Sequence, residues 1–478
     1  MQLKRRERVG QVCENIATFS ASLLAATIAT HAGKAMAQAQ SPDSQNSSIK
    51  TFGPGVTYYE LNGAMLVYQE PGGRVRAIEP TANYTAHGPI GQEFSLGFVY
   101  DAVSGATPNG AVPSDQTQTF LTPIKANGSG GTATVTSASG GSTIIQLPPS
   151  PGQIAAAALG RQYTVGPNVL PMDKGFRDHR GAFTVDYSAP LGAISEVGLG
   201  GGYSLEQDYQ AISGNMRIAQ NFNNDNTTVN LAVNTELDSS FPYGGIPTPL
   251  TAMSADWKAS SSRSKTQVGA VLGVTEVISR RWLMQLDYSY DAQSGYQNDP
   301  YRVISVVDPV SGEPTSSLYE NRPNNRQSQS LFWDNKFDFD PFVTDFALRA
   351  FKDSWGISSI TAELSERVSL TRSMYIEPNV RWYQQSSANF FENFLVGGQP
   401  LPRYASSDTR LEKFTGLTFG MKIGFLLTGS TELYLRGDYY KQTGDGHPAD
   451  AVGQLKQQDL FAGTDAAFVM LGYSWKFR

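Results

Sequence analysis

Cysteine and histidine are scarce in this sequence of 478 residues. Cys13 is the only cysteine, and His87, His179 and His447 are the only histidines after residue 37. No His-Glu-x-x-His, P-loop, calcium-loop or cysteine-cluster pattern is present. The chain beyond Cys13 can therefore form neither a disulfide nor a thiolate metal site. We expect no metal site, no cofactor site and no catalytic residues. His179, which lies between Asp178 and Arg180, is interpreted as a solvated residue at the start of a strand.

Long hydrophobic runs are also lacking. Mean hydropathy is -0.30, and no stretch beyond the N-terminus approaches the ~18 apolar residues that would suggest a transmembrane helix. The one apolar stretch, residues 16–30, follows the basic residues of Lys4–Arg8 and precedes the small-x-small pattern Ala35–Ala37. It is too short for a membrane anchor, and it predicts a secretory signal peptide at residues 1–37. Gln38 would begin the mature chain.

An excess of basic residues is missing as well. The formal charge is -6, and removal of residues 1–37 takes away five basic and two acidic side chains, which leaves -9. Nucleic-acid binding requires clustered lysine and arginine. The balance of charge therefore excludes nucleic acid as an expected partner.

The last residues of the chain show the clearest structural pattern. Every second side chain from Val469 to Phe477 is apolar or aromatic, and the residues between them are smaller or polar. Alternation of period two predicts a strand with unlike surroundings on its two faces. An outer-membrane barrel ends on such a strand, whose outer row faces lipid. The predicted lipid-facing row is Val469, Leu471, Tyr473, Trp475 and Phe477.

The same alternation recurs through the chain, and 47 glycines supply the turns. The residues Asn223–Asn226 lie between two alternating segments and predict a tight turn with positive φ. Strand starts are predicted near residues 61, 75, 93, 178, 193, 208, 227, 265, 281, 326, 343, 357, 374, 410, 431 and 466. The fold class is therefore all-β, a transmembrane antiparallel barrel of about 16 strands, within a range of 14–18. A soluble secreted β-sandwich or β-helix is the competing interpretation.

Long and short links alternate, and this sets the orientation of the barrel. Short links are predicted near 223–226, 279–281, 339–342, 369–373 and 428–430. Long polar links are predicted near 104–177, 239–264, 292–325, 387–408 and 443–463. Short turns lie in the periplasm and long loops lie outside in bacterial barrels. The domains are then a signal peptide at 1–37, an N-terminal periplasmic segment at 38–60 and a barrel at 61–478, in the outer membrane of a Gram-negative bacterium.

The link 104–177 is rich in glycine, serine, threonine and proline. Such a composition cannot bury a core of its own. Two interpretations remain open for it: a loop folded into the lumen as a constriction, or a mobile external loop.

Several segments resemble a known family. They are Leu66–Glu70, Tyr100–Asp101 with Ser104–Gly110, Tyr203–Tyr209, Asp353–Gly356 and Arg381–Ser386. Together they are similar to the uncharacterised outer-membrane family called domain of unknown function 3570, from about residue 50 to 478. The resemblance implies a β-barrel of unknown transport role with no established catalytic residues, and recognition of the closing strand by the barrel-assembly machinery. The resemblance also implies that the protein occurs beside thioredoxin-like and flavin-attaching proteins, which suggests redox work in the cell envelope.

Charged residues on the predicted inner faces are the candidate lumen residues. They are Arg217, Glu236, Asp287, Arg349, Glu377, Arg381, Glu432, Arg436 and Asp438. Opposed rows of acids and bases across a pore would produce a transverse field that screens solutes. Ion pairs that fill a narrow lumen are the alternative, although about sixteen strands normally leave an aqueous channel.

These patterns predict a channel or porin-like conduit for small polar solutes. The expected partners are outer-membrane lipid, the barrel-assembly machinery and the solute. A barrel that anchors envelope partners, in a redox or flavin-linked system, is the alternative. An enzyme is the least supported class, because no residues are arranged for covalent chemistry.

Overall fold

The computed structural model describes residues 58–122, 132–136, 142–146, 161–253 and 258–478. The predicted signal peptide and most of the predicted N-terminal segment lie outside these residues. No helix among the described residues is long and apolar enough to cross a membrane.

Sixteen strands form a closed antiparallel barrel in which neighbours in sequence order are neighbours in space. All 25 strands of the described chain are numbered in chain order. The barrel strands are β1 (Tyr58–Gln69), β2 (Val75–His87), β3 (Glu93–Pro108), β8 (Met172–Leu191), β9 (Ser195–Leu205), β10 (Tyr209–Phe222), β11 (Thr227–Ser240), β14 (Arg263–Ser279), β15 (Trp282–Gly295), β18 (Asn325–Asp338), β19 (Phe342–Asp353), β20 (Ser358–Thr371), β21 (Met374–Gln385), β23 (Phe414–Thr428), β24 (Thr431–Gly444) and β25 (Asp465–Phe477).

The barrel closes between the first and last strands. β1 pairs with β25 antiparallel, from Tyr59 opposite Phe477 to Gln69 opposite Ala467. Full closure removes the exposed sheet edges that would otherwise pair with other chains. The predicted fold class and the count of 16 strands are confirmed.

The two ends of the barrel differ in the length of their links. One end, here called the short-turn end, carries seven links of two to five residues at 88–92, 192–194, 223–226, 280–281, 339–341, 372–373 and 429–430. The other, the loop end, carries the long links at 109–171, 241–262, 296–324, 386–413 and 445–464. The predicted separation of long from short links is correct. The loop end also has three short links that the sequence did not reveal, at 70–74, 206–208 and 354–357.

The longest link is shorter than predicted. β3 continues through Pro108 and β8 begins at Met172, so the link covers 109–171 rather than 104–177. The segment has a turn-like composition, but it still pairs with β8, and a register shift between Gly105 and Thr107 accommodates it. Glycine permits this bend because Gly105 has φ of 150°, a conformation that other residues rarely adopt.

Local sequence signals account for two details of the wall. Asn223, Asn224 and Asp225 have positive φ, as the turn between β10 and β11 predicts. The glycines that weaken the alternation of β9 leave space for inward side chains of neighbouring strands. A Cβ on Gly198 would lie 2.5 Å from Arg217 Nε, and one on Gly200 would lie 2.0 Å from Asp186 Oδ1.

The outer face of the barrel is apolar. Val469, Leu471, Tyr473 and Trp475 on β25 are 51%, 53%, 41% and 44% exposed. Phe477 is half-buried, because its ring stacks on Trp475 with the centroids 4.3 Å apart. Comparable apolar side chains point outward from the other barrel strands. An exposed apolar surface of this extent marks a membrane or another apolar partner.

The long links fold over the loop end and form a layer here called the roof. Its strands are β4 (Gln118–Thr122), β5 (Thr132–Thr136), β6 (Ser142–Gln146), β7 (Arg161–Val165), β12 (Ile246–Pro247), β13 (Lys258–Ser260), β16 (Val303–Val307), β17 (Pro314–Tyr319) and β22 (Leu395–Val396). β16 lies at the centre of a three-stranded sheet between β17 and β22. β16 and β17 belong to the link 296–324 and β22 belongs to the link 386–413, so this sheet connects two loops by backbone pairing.

The roof has hydrophobic cores of its own. One contains Ala111, Phe120, Val165, Val303 and Tyr319. A second contains Val112, Val307, Phe394, Ala451, Leu455 and Leu460. Each joins loops that are far apart in sequence. Burial of such side chains contributes roughly 1.5–3 kcal/mol each, so the loops stabilise one another.

Candidate functional site

A chamber of about 1280 Å³ lies inside the barrel, beneath the roof. Its walls are the inner faces of the barrel strands toward the loop end. Its upper lining includes Leu121 and Tyr163 from the longest link, and residues 298–302 and 408–411 from two others. The described ends of the longest link thus line the chamber. The middle of that link includes residues outside the described ones, so the choice between constriction and mobile loop stays open.

The floor of the chamber is a packed layer of side chains toward the short-turn end. The floor cluster is defined by Arg367, Tyr375, Lys422, Glu432 and Tyr434, each less than 10% exposed. Arg367 Cζ lies 3.6 Å from the centre of the Tyr375 ring, and Lys422 Nζ lies 4.6 Å from that of Tyr434. Tyr375 donates a hydrogen bond to Glu432, which lies 3.7 Å from Lys422. Cations and aromatic rings thus fill this part of the lumen.

Buried polar side chains continue this layer around the opposite wall. Thr228, Asn230, Thr275 and Asn335 on β11, β14 and β18 are all less than 10% exposed. These buried side chains narrow the lumen toward the short-turn end.

An ionic cluster in the roof is centred on Asp408, which is fully buried. Its carboxylate binds Arg322 at 2.8 Å and Arg410 at 2.5 Å, and Arg302 lies 3.6 Å away. Burial raises the pKa of Asp408, but the three guanidinium groups lower it by more, so that the pKa lies well below its usual value. Asp408 is therefore ionised at physiological pH and holds two separate loops together.

One sector of the chamber wall is predominantly acidic. It runs from β2 to β11 and carries eight carboxylates but only Arg177 and Arg180 as cations. The carboxylates belong to Glu79, Asp101, Asp173, Asp178, Glu206, Asp208, Glu236 and Asp238. Arg180 is bonded to Asp101. The sector thus retains an excess of negative charge.

Two groups at the top of the acidic sector show how dense this charge is. Burial, followed by the charge of Asp178, raises the pKa of Glu206 to about 7. Burial also raises the pKa of Asp208, although a hydrogen bond from Tyr301 opposes the shift. A nearby cation would favour the ionised form of both groups. No group of three or more acidic, histidine or cysteine side chains within the described ranges is arranged to hold a metal ion.

The next sector, from β14 to β21 with its loops, is predominantly basic. Eight cations line the chamber there, against two lining acids, Asp299 and Asp408, and Glu320 pairs with Arg322 behind the lining. The cations are Arg263, Lys265, Arg302, Arg322, Arg326, Arg349, Arg381 and Arg410. Asp353 binds Arg326 at 2.6 Å and Glu363 binds Arg381 at 2.9 Å. Because a guanidinium has five N–H donors, one carboxylate partner leaves donors for a ligand.

The remaining wall, from β23 through β25 to β1, is aromatic. Tyr68, Tyr440 and Phe468 are buried together there, and the rings of Tyr68 and Phe468 are 5.0 Å apart. Its charged groups at the chamber are Glu70 and Arg74, which form an ion pair at 2.9 Å. The chamber therefore has an acidic, a basic and an aromatic sector.

The nine candidate lumen residues all lie on inner faces of barrel strands, but at different heights. Glu236, Arg349 and Arg381 line the chamber. The other six, below it, are Arg217, Asp287, Glu377, Glu432, Arg436 and Asp438. Charges of opposite sign lie in different sectors at the chamber, and ion pairs lie both there and below it. The role of these residues in solute passage stays a prediction.

Close pairing is the rule among the lower six. Arg436 binds Asp438 through two bonds of 2.7 and 2.9 Å, and Arg217 lies 3.8 Å from Glu196. Gln285 donates to Asp287 at 2.6 Å. Glu377 lies opposite Lys422 on the next strand.

Sequence reasoning missed the charged residues that the loops bring to the chamber. Arg302, Arg322, Asp408 and Arg410 lie in polar loops, where an isolated charge is usually solvated. No periodicity marks them, because irregular segments have no fixed face. Asp178 and Glu206 were visible as charged residues, but their proximity depends on the pairing of β8 with β9.

Comparisons with solved structures found other barrels at low similarity. A mutant of the ferric enterobactin receptor PfeA of Pseudomonas aeruginosa has 9% identity and a TM-score of 0.40, over 88% of this chain and 60% of that one. CdiB from Acinetobacter baumannii has 8% identity and a TM-score of 0.41, over 87% and 60%. A TodX mutant, a monoaromatic hydrocarbon channel, has 10% identity and a TM-score of 0.35, over 91% and 93%. The chain spans about 60% or less of the siderophore receptors that it matches.

No curated protein matches the sequence. A family model for a protein of unknown function, DUF3570, matches residues 20–475. This match covers nearly the whole chain and agrees with the resemblance seen in the sequence. The protein belongs to the DUF3570 family.

Proposed function

We propose that this protein is a gated conduit for small polar solutes in the outer membrane of a Gram-negative bacterium. The observation that carries the proposal is the chamber of about 1280 Å³, which lies within the barrel and is lined by charged and aromatic side chains. Binding sites for small molecules typically occupy about 300–1,000 Å³, so the chamber can hold a small solute together with water. The roof and the packed floor act as two gates, and the proposal includes no covalent chemistry.

The membrane location in this proposal is supported by the apolar outer face. Alternate side chains of the barrel strands present large apolar groups outward, while the inward groups are polar. In an outer-membrane barrel the first set contacts lipid and the second lines the lumen. The proposal also includes export through the predicted signal peptide and insertion by the barrel-assembly machinery, with the long loops outside the cell.

Conductance tests the conduit directly. Purified protein reconstituted into planar bilayers is expected to show small, discrete current steps with frequent closures, because roof and floor both narrow the path. The control is protein that has been refolded but has not inserted into the membrane, added to the same bilayers. Electrically silent insertion would contradict the conduit, and copurification of a cofactor-bearing partner would then support a scaffold.

A charge on the outer face tests the membrane location. Leu471→Arg places a cation on the proposed lipid face and is expected to lower the free energy of unfolding in lipid by about 2–4 kcal/mol. Leu401→Arg is the matched control, because Leu401 is 52% exposed, against 53% for Leu471, but lies in a loop. Denaturant unfolding in liposomes measures the free energy of unfolding of both variants. Equal stability of the two variants would show that β25 does not face lipid.

A further inference from the structure

We propose that the chamber binds a small zwitterionic solute, whose ammonium group contacts the acidic sector and whose carboxylate contacts the basic sector. The inference deepens the proposed function, since it names the class of solute that the same chamber takes. It is carried by the arrangement of charge around one cavity, in which eight carboxylates and eight cations occupy different arcs of the barrel wall.

The order of strands gives each arc its own part of the wall, and the acidic and basic arcs meet at β11 and β14, where Asp238 pairs with Lys265. The acidic sector spans β2 to β11, the basic sector spans β14 to β21, and the aromatic sector closes the ring between them. A solute with one charge would be attracted by one sector and repelled by the other. A solute with both charges gains from both, so opposed walls favour a zwitterion over a cation or an anion of equal size.

The acidic sector presents carboxylates to the chamber. Asp178 and Glu206 both line it, and burial together with the charge of Asp178 raises the pKa of Glu206 to about 7. Carboxylate oxygens accept hydrogen bonds from N–H donors. A ligand ammonium group placed between these two side chains would offset their mutual repulsion.

The basic sector presents guanidinium groups to the chamber. Arg349 lines the chamber with its guanidinium 5.0 Å from the centre of the Phe332 ring. A planar guanidinium suits recognition of a carboxylate. Arg326 and Arg381 also line the chamber in this sector.

Four forms of one tripeptide test the proposal. Triglycine is the zwitterion, triglycine amide the cation, N-acetyltriglycine the anion, and the doubly blocked peptide the neutral form. Isothermal titration of the full chain in nanodiscs at pH 7 is expected to give at least about tenfold tighter binding for triglycine than for any blocked form. Equal affinities, absence of saturable binding, or tightest binding of a blocked form would overturn the proposal.

Two variants test which sector of the chamber contacts each end of the ligand. Asp178→Asn with Glu206→Gln is expected to weaken binding of triglycine and its amide about tenfold, and to leave the acetylated form unchanged. Arg349→Gln is expected to weaken binding of triglycine and the acetylated form, and to leave the amide unchanged. The form that each variant still binds reports that it is folded. Weakening of every form to the same degree would contradict the assigned contacts.

Matched controls use exposed charges that do not line the chamber. Asp450→Asn and Lys456→Gln remove an acid and a base from the link 445–464 and should leave all four affinities unchanged.

Binding and conduction are measured separately, so the two proposals can fail separately. Selective binding without current steps would contradict only the conduit, and current steps without selective binding would contradict only the zwitterion site.

Discussion

Replacing Tyr375 and Tyr434 together with alanine is expected to open the floor of the chamber and to increase the unitary conductance. Both rings are buried in the lumen, and each covers a glycine on the neighbouring strand. A Cβ on Gly424 would lie 2.1 Å from the Tyr375 ring, and one on Gly472 would lie 2.1 Å from the Tyr434 ring. Removal of the rings leaves a void that these glycines cannot fill. Each change should cost roughly 3–5 kcal/mol of stability.

The control for this prediction keeps the rings. Tyr375→Phe with Tyr434→Phe removes the hydrogen bond to Glu432 but retains the volume of both side chains. Conductance of this variant should stay near that of the native protein, and single-channel recording compares the two. If the alanine variant folds and inserts but conducts no more than the phenylalanine variant, the floor does not limit the path.

Replacing Asp408 with asparagine is expected to release the roof. The change removes the charge that Arg302, Arg322 and Arg410 share, and leaves Glu320 and Asp299 as the carboxylates beside these three cations. Breaking a buried ion pair in this way costs about 3–5 kcal/mol. The loops should then be cleaved faster by added protease, and closures of the channel should become shorter. Limited proteolysis followed by mass spectrometry identifies which loops are released.

Asp308→Asn is the matched control for the roof. Asp308 lies in the same group of loops, but it is half-buried and its side chain accepts hydrogen bonds from its own turn. Its replacement should leave proteolysis of the other loops unchanged. Equal protease sensitivity of the two variants would show that the cluster around Asp408 does not hold the roof.

The lowered pKa of Asp408 sets the pH range over which the roof is stable. A carboxylate with a lower pKa in the folded than in the unfolded state contributes stability above its unfolded value of about 3.9. That contribution is lost as the pH falls through the lowered folded value. The native roof should therefore stay protease-resistant at pH 5, whereas the Asp408→Asn variant should be sensitive at pH 5 and at pH 7.

The sequence predicted the wall of this protein well, and the reason is local. A barrel strand has two faces with different surroundings, so side chains alternate with a period of two that can be read from segments such as 469–477. Asn223–Asn226 predicted a turn because these residues tolerate positive φ. Inward-facing charges such as Arg349 and Glu236 followed from the same alternation.

The predicted length of the longest link was wrong because pairing overrode composition. Residues 104–108 look like a turn, but β8 offers a partner strand and β3 continues to Pro108. β9 shows the opposite effect. Its glycines weaken the pattern, yet the space they leave is filled by Arg217 and Asp186 from the adjacent strands.

What the sequence by itself determined was a barrel wall of sixteen strands with an apolar outer face and a charged inner face. The roof, the floor and the three sectors of the chamber were decided only by the tertiary structure. Gly110 accepts a hydrogen bond from Ser407, and Pro113 accepts one from Gln454, across hundreds of residues. Such contacts depend on strand register and loop packing, which bring together residues that no local pattern relates.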